Sequence, residues 1–311
     1  MMEQKNIRIN QLPTRTWNRL GVNDAEVLWG EPVPSKAEIF TVKAGECPEP
    51  LHVTADDGGE AYKQKDLTLT VEENSTVTVF EVCTAEKPLQ VRLSVELQKN
   101  AKVHLVQFLH PTAAILRHEM QANCAENSRF ELISVLLGQG DIYTDDHVVL
   151  TGNESSVSVD YGYLGRESRT VDVNLAVDHF GKKTNSDIHA NGALADAAKK
   201  VFRGTIDFKK GSSDSVGSEN ETVLMLGDEV VNKTVPIILC AEENVDGSHG
   251  ATIGDLDEAT LFYFASRGIG REKAQAMMAR AAIERLARMA ENAAFEEQIM
   301  QALSDDLRDG E

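Results

Sequence analysis

Imidazoles and thiols are the side chains in this sequence best suited to meet a metal, and one of each lies near its C-terminal end. His249 sits in Ser248-His249-Gly250-Ala251, where small neighbours leave the ring sterically uncovered. Such a setting suits an imidazole that must reach a metal or a partner, although a satisfied turn histidine would look the same. Cys240 closes the apolar run Pro236–Cys240, nine residues earlier. From its neighbours it reads as a buried core cysteine, and only secondarily as an auxiliary thiolate beside His249. The remaining cysteines are Cys47, Cys83 and Cys124, and no pair has the CxxC spacing of a zinc knuckle or a self-contained cluster. Cys83 and Cys124 stand among apolar strand residues and are expected to be small buried hydrophobes. The other histidines lack local ligand spacing. His104 is expected outward on a strand, and His179 and His189 exposed in a polar stretch with Lys182, Lys183 and Asn185.

The elements that must position these groups are announced by a repeat. Glu73-Asn74-Ser75-Thr76-Val77 is echoed by Lys99-Asn100-Ala101-Lys102-Val103, by Glu126-Asn127-Ser128-Arg129-Phe130, and more loosely by Gly152-Asn153-Glu154-Ser155-Ser156-Val157. The asparagines are 26, 27 and 26 residues apart, with a one-residue slip in the fourth copy. Asparagine tolerates the left-handed backbone of a tight corner, and the alternation after it marks a strand with one buried face. A period of this length with short β-segments predicts a solenoid. Its rungs are expected at Asp66–Val71, Leu89–Leu97, Val103–Phe108, Phe130–Leu137, Val157–Gly162 and Thr170–Val177, with Ala198–Phe208 and Thr222–Leu226 less regular. A β-sandwich is the competing architecture, but its turns would recur at shorter spacing.

The ends differ. Residues 1–35 read as a short N-terminal cap segment, 36–254 as a parallel β-helix core, and 255–311 as a C-terminal helical unit. Asp255 with Glu258 predicts a capped helix start, followed by Leu261, Phe262 and Phe264. Gly268 and Gly270 break that helix. Met278, Ala282, Leu286, Met289 and Ala293 then form the expected apolar stripe of a second helix, and Phe295–Leu307 a third. A solenoid end needs a cap, so this unit is expected to be a lid, a docking surface, or both.

Fifty acidic against 31 basic residues give a net charge of −19, which repels phosphate backbones and anionic membrane surfaces. Nucleic acid and membrane are therefore not expected partners. The opening MMEQKNIRIN has no apolar signal core, so a cytoplasmic location is expected. Gly181-Lys182 lacks the remainder of a phosphate loop, and Gly268-Ile269-Gly270 lacks the third glycine of a dinucleotide fingerprint. No GxSxG or HExxH occurs. The chain is expected to bind no nucleotide and to be no enzyme.

Several segments resemble the SufB/SufD family of iron–sulfur cluster assembly proteins, across roughly the last half of the chain. They are Phe202-Arg203-Gly204-Thr205-Ile206, Ser248-His249-Gly250-Ala251-Thr252 and Leu261-Phe262-Tyr263-Phe264-Ala265-Ser266-Arg267-Gly268-Ile269, with Pro13-Thr14-Arg15-Thr16-Trp17-Asn18 near the start. The resemblance implies a right-handed parallel β-helix flanked by helices, with the N-terminal helical part reduced. It is closest to the SufD branch. The family's SufB cysteine follows a Gly-Asp pair, and here Gly227-Asp228-Glu229 leads to Val230. The glutamate that follows the SufB histidine is here Gly250. The resemblance implies a non-catalytic scaffold of a SufBCD complex. It would pair with a SufB-like subunit through the β-helix and dock a SufC-like ATPase through its C-terminal helices, with Phe262, Tyr263 and Arg267 contributing. His249 would be a ligand to iron or a transient iron–sulfur cluster shared with SufB, with Cys240 a weak second candidate. Alternatives are a β-helix carbohydrate enzyme such as a polysaccharide lyase, which needs charged groups clustered on one face, and a self-pairing homodimer.

Overall fold

A computed structural model describes residues 4–15 and 19–308, so Thr16, Trp17 and Asn18 of the N-terminal motif lie outside the described residues. The chain opens with an antiparallel hairpin, β1 (Gln4–Ile9) and β2 (Ala25–Gly30). It then winds through β3 (Val33–Pro34), β4 (Glu38–Val42), β5 (Leu51–Asp56), β6 (Lys63–Val71), β7 (Thr76–Ala85) and β8 (Leu89–Leu97). The coil continues through β9 (Lys102–Pro111), β10 (Leu116–Cys124), β11 (Arg129–Leu136), β12 (Ile142–Leu150), β13 (Ser156–Gly165) and β14 (Thr170–His179). It ends with β15 (Asn185–Leu194), β16 (Lys199–Phe208), β17 (Ser215–Met225), β18 (Val231–Cys240) and β19 (Val245–Gly254). Even-numbered strands from β6 to β18 stack in parallel in one sheet, and odd-numbered strands from β5 to β19 in the other. Each turn thus gives one strand to each sheet, and the inward side chains of both form the core.

The corners explain the repeat. Asn74, Asn100 and Asn127 have φ of 60°, 60° and 55°, and in the fourth copy the left-handed position passes to Glu154 at 61°. That is the one-residue slip seen in the sequence. The asparagine side chains also bond to one another up the stack. Asn100 Nδ2 donates to Asn74 Oδ1 at 2.7 Å, and Asn127 Nδ2 to Asn100 Oδ1 at 2.8 Å.

Both flanks are covered. On the first sheet, Ile9, Val27 and Trp29 pack with Tyr62 and Tyr143, while Leu12 and Val22 pack on Val235 and Ile237. Arg203 projects outward there, fully buried. Its Nη1 meets Asp172 Oδ1 at 2.5 Å, and its Nε donates to the Val22 carbonyl at 2.6 Å. Asn10 Nδ2 donates to the same carboxylate at 2.5 Å.

On the second sheet lie α2 (Arg271–Met289) and α3 (Ala293–Arg308), which follow α1 (Glu258–Ser266). Ile283, Leu286 and Ala287 of α2, with Phe295 and Leu303 of α3, seal the outward faces of Phe80, Phe108, Ile133 and Val135. A Cβ on Gly162 would sit 2.3 Å from Leu286 Cδ1, so glycine there sets how closely α2 approaches.

Three expectations are corrected. The helices line the flank of the solenoid rather than closing its end, because the outer face of the second sheet is apolar and needs cover. The α2 stripe runs through Ala274, Ala279, Ile283, Leu286 and Ala287. Small alanines permit close packing, and the flexible Met278 and Met289 turn to solvent at 40% and 36% exposure. The α1 cap is Asp257, whose carboxylate accepts from Thr260 N at 2.6 Å. Asp255 instead pairs with Arg271 of α2.

Candidate functional site

His249 lies in the middle of β19, the terminal strand of its sheet. Parallel pairing aligns it with Glu219 of β17, which in turn stands over Ile188, Val159 and Leu132. Glu219 faces inward, since a Cβ on Gly204 across the solenoid would lie 2.0 Å from its Oε2. His249 therefore occupies the top of an interior column. No further strand covers it, and both faces of β19 are exposed over most of its length. The interior of the solenoid opens to solvent at this turn.

Beneath that opening the column turns from apolar to charged. Glu221 is buried and receives the ammonium of Lys200, also fully buried, in a close ion pair. Lys200 Nζ further donates to Asn232 Oδ1 at 2.9 Å and Thr234 Oγ1 at 3.2 Å. Tyr163 and Thr234 hydroxyls donate to Glu221 at 3.2 and 2.5 Å. Burial lowers the Lys200 pKa, with Glu221 pulling against that shift. Burial, reinforced by the neighbouring Glu221 charge, pushes the Glu219 carboxyl up to about 8. One carboxylate is thus neutralised by a lysine and its neighbour by a proton, which is how a low-dielectric chamber accommodates two acids. The arrangement offers an exposed imidazole above a chamber holding an ionised carboxylate, an ammonium and a protonated acid.

Cys240 ends β18 and is exposed, which overturns its reading as a core cysteine. It aligns with the buried Phe208, but its own turn is the last of its sheet and nothing stacks on it. Its Sγ donates to the Glu242 carbonyl at 2.9 Å. His249 is four residues into the next strand, about 13 Å beyond Val245 at ~3.3 Å per residue. The structure places thiol and imidazole on the same turn without bringing them into one ligand set. Cys83 and Cys124 are buried as expected. His104 faces Glu131 at 3.3 Å, partly exposed. His179 is corrected: it is fully buried, with Nδ1 2.7 Å from Thr184 Oγ1 and Nε2 2.9 Å from Ser186 Oγ. Burial lowers its pKa to about 4.

Phe262 and Tyr263 lie on α1 and Arg267 is its C-cap, with the guanidinium 5.2 Å from the Tyr263 ring centroid. Phe262 is 76% and Tyr263 56% exposed, and α1 buries no residue at all. An apolar helix so uncovered is the kind of surface that a protein partner covers.

The family description "SUF system FeS cluster assembly, SufBD core domain" matches residues 52–282. The chain belongs to the SufBD family. SufD of Bacillus subtilis is 28% identical over 152 residues, which is 49% of this chain and 35% of that protein. A SufBD family protein of Pyrococcus horikoshii is 26% identical over 226 residues, 70% of this chain and 50% of that protein. SufD of Escherichia coli is 24% identical over 285 residues, 87% of this chain and 67% of that protein. The chain thus spans a third to a half of the first two relatives and two thirds of the third. Among the described residues, no helix is long and apolar enough to cross a membrane.

The SufBD segment Phe202–Ile206 acquires a physical reason. Phe202 and Ile206 fill the core, Gly204 leaves room for the Glu219 carboxyl, and Arg203 clamps the N-terminal segment. Lys200, Glu219 and Glu221 were missed in the sequence, where charges on a strand read as solvated. The signal was present in Glu219-x-Glu221, two acids on one strand face, but the lysine that answers them lies in another strand.

Proposed function

We propose that this chain is a SufD-like, non-catalytic scaffold, which offers His249 at its open last turn to iron or a nascent iron–sulfur cluster carried as cargo. A SufB-like subunit would abut that turn and supply the thiolate that Val230 does not. The uncovered α1, at the start of the 255–311 unit, would dock a SufC-like ATPase, and nucleotide use would belong to that partner. The reading fits a cytoplasmic assembly machine. The observation that carries it is the exposure of β19 on both faces, with an imidazole in its centre. A terminal parallel strand with unpaired backbone groups invites pairing with another chain. A neutral imidazole in place of a thiolate leaves a shared cluster less negatively charged. A second copy could pair through the same turn when the partner is missing.

The carbohydrate-enzyme reading has one observation in its favour, a groove along the outer face of the first sheet lined by Asp66, Arg92, His147, Asp178, Asp207 and Lys209. Those charges are consumed in pairs. Arg92 meets Asp66 at 2.6 Å, His147 meets Asp178 at 3.1 Å, and Lys209 meets Asp207 at 2.5 Å. The scaffold reading is the stronger.

Co-expression with SufB- and SufC-like partners tests it. The ternary complex is expected to co-purify with wild-type chain and with His249→Ala, while iron–sulfur reconstitution on the complex falls at least tenfold in the variant. Undiminished reconstitution removes His249 from the mechanism, and failure of the wild type to co-purify removes the scaffold. Arg267→Glu is expected to weaken ATPase binding about tenfold or more in calorimetric titration, with the thermal transition unchanged. Equal affinity would exclude α1 as the dock.

A further inference from the structure

Deep inside the solenoid, far down the stack from the open turn, three potential ligands from three strand positions converge: Glu81 and Cys83 on β7 and His118 on β10. Their ligating atoms lie within 4.8 Å of one another, and all three residues are buried. His118 Nε2 is 3.3 Å from Glu81 Oε1, and Cys83 Sγ is 3.7 Å from the same oxygen. A tetrahedral ion with bonds of ~2.1 Å to nitrogen and oxygen and ~2.3 Å to sulfur separates such atoms by about 3.4 and 3.6 Å. The existing spacing is nearly that of a ligand shell.

The surroundings are unfinished without an occupant. Gln107 is 1% exposed, and its Nε2 lies 2.8 Å from Glu81 Oε2 and 3.3 Å from His118 Nε2, yet its Oε1 has no partner. Turning the amide over is a small change that would present an oxygen donor where the amine now stands. On the far side of the imidazole, His118 Nδ1 and Asp146 Oδ1 face each other at 4.0 Å, and neither atom has a hydrogen bond. A carboxylate behind a ligating histidine is the usual second support of a metal-bound imidazole. Asp146 is itself steadied by the Tyr161 hydroxyl. Glu81 also borders a small apolar cleft lined by Phe40, Leu51, Val53 and Leu67.

We infer that Glu81, Cys83 and His118 form an interior site for a single divalent transition-metal ion of the zinc or ferrous type, with Gln107 as fourth donor and Asp146 as the support of His118. The mixed nitrogen, sulfur and oxygen donors select such ions over calcium or magnesium. This site stands on the geometry of the coil and is independent of the scaffold reading and of His249.

The test uses the full chain, stripped with a chelator and titrated with Co²⁺ alone. The expected result is a tetrahedral cobalt spectrum with a thiolate-to-metal charge-transfer band, saturating at one equivalent and displaced by Zn²⁺. A Cys47→Ser/Cys240→Ser background removes the exposed thiols and is expected to keep the band. Adding Cys83→Ser should abolish it and weaken binding at least tenfold, and Asp146→Asn should weaken binding about tenfold. No band in the wild type, or one that survives Cys83→Ser, overturns the site and leaves a buried His–Glu ion pair. If Cys83→Ser does not fold, X-ray absorption of the zinc-loaded background protein decides. One sulfur scatterer with a nitrogen and oxygen shell is expected, and a shell without sulfur overturns the inference.

Discussion

Replacing Arg203 with alanine is expected to cost about 3–5 kcal/mol in urea denaturation, among the largest single effects in this fold. The guanidinium has no solvent contact and holds two things together, the Asp172 carboxylate of the neighbouring strand and the Val22 carbonyl of the N-terminal segment. Without it the carboxylate stays buried with only the Asn10 amide as donor. Burial already raises the Asp172 pKa, and Arg203 is the main force opposing that rise. Removing Arg203 therefore drives the acid further up, so the loss should be smaller at pH 4, where the unfolded carboxyl is also becoming protonated. Limited proteolysis should cut faster beside Leu12 and Val22, which are buried against the sheet in the wild type. Arg203→Lys is expected to recover little, because a single ammonium cannot span both partners in one plane. A loss below about 1 kcal/mol with an unchanged proteolytic pattern would show that the clamp is idle.

Glu219→Gln is expected to stabilise the protein in alkaline solution. The folded carboxyl has a pKa of about 8 against an ordinary 4.5. Between those values the unfolded chain gives up a proton that the folded chain keeps, so stability falls as pH rises through that window. At about 1.4 kcal/mol per unit, the wild type carries a penalty of several kcal/mol by pH 9, and glutamine carries none. Thermal melts at pH 5, 7 and 9 should show the variant's advantage growing steadily from near zero. Parallel curves would mean that Glu219 is ionised in the folded state. The variant also reports on the site, since it alters the chamber beneath His249 without touching the imidazole.

How far the sequence revealed these features follows from where the charges point. Strands with apolar inward positions were found, β8 to the residue, β11 one residue off at each end and β9 in its central part, and the asparagine corners carried the period. β10 and β12 were missed because Arg117-His118-Glu119 and Thr144-Asp145-Asp146-His147 look like solvated runs. Their inward members, His118 and Asp146, meet Glu81 and Tyr161 of other strands inside the coil, and no local pattern reports such a contact. Cys240 misled for the opposite reason: its apolar neighbours implied a core, but its turn is the last and nothing stacks above it. Phe262 and Tyr263 were legible as an aromatic cluster, while their exposure required knowing that α2 and α3 already fill the sheet's flank.

The asparagine ladder has a consequence for how such a chain can vary. Asn74, Asn100 and Asn127 are bonded side chain to side chain from one level to the next, which pins three successive turns at the same corner. The turns are not all of one length, since Leu116 and Ile142 are stacked partners 26 residues apart and Lys200 and Asn232 stacked partners 32 apart. Corner loops thus absorb extra residues, while a one-residue change inside a strand would turn its inward side chains outward. A whole rung can be added or removed with the columns intact, moving the two ends apart by ~4.8 Å each time. Length can therefore vary at two scales in this architecture, in the corner loops of a turn and by whole turns along the axis.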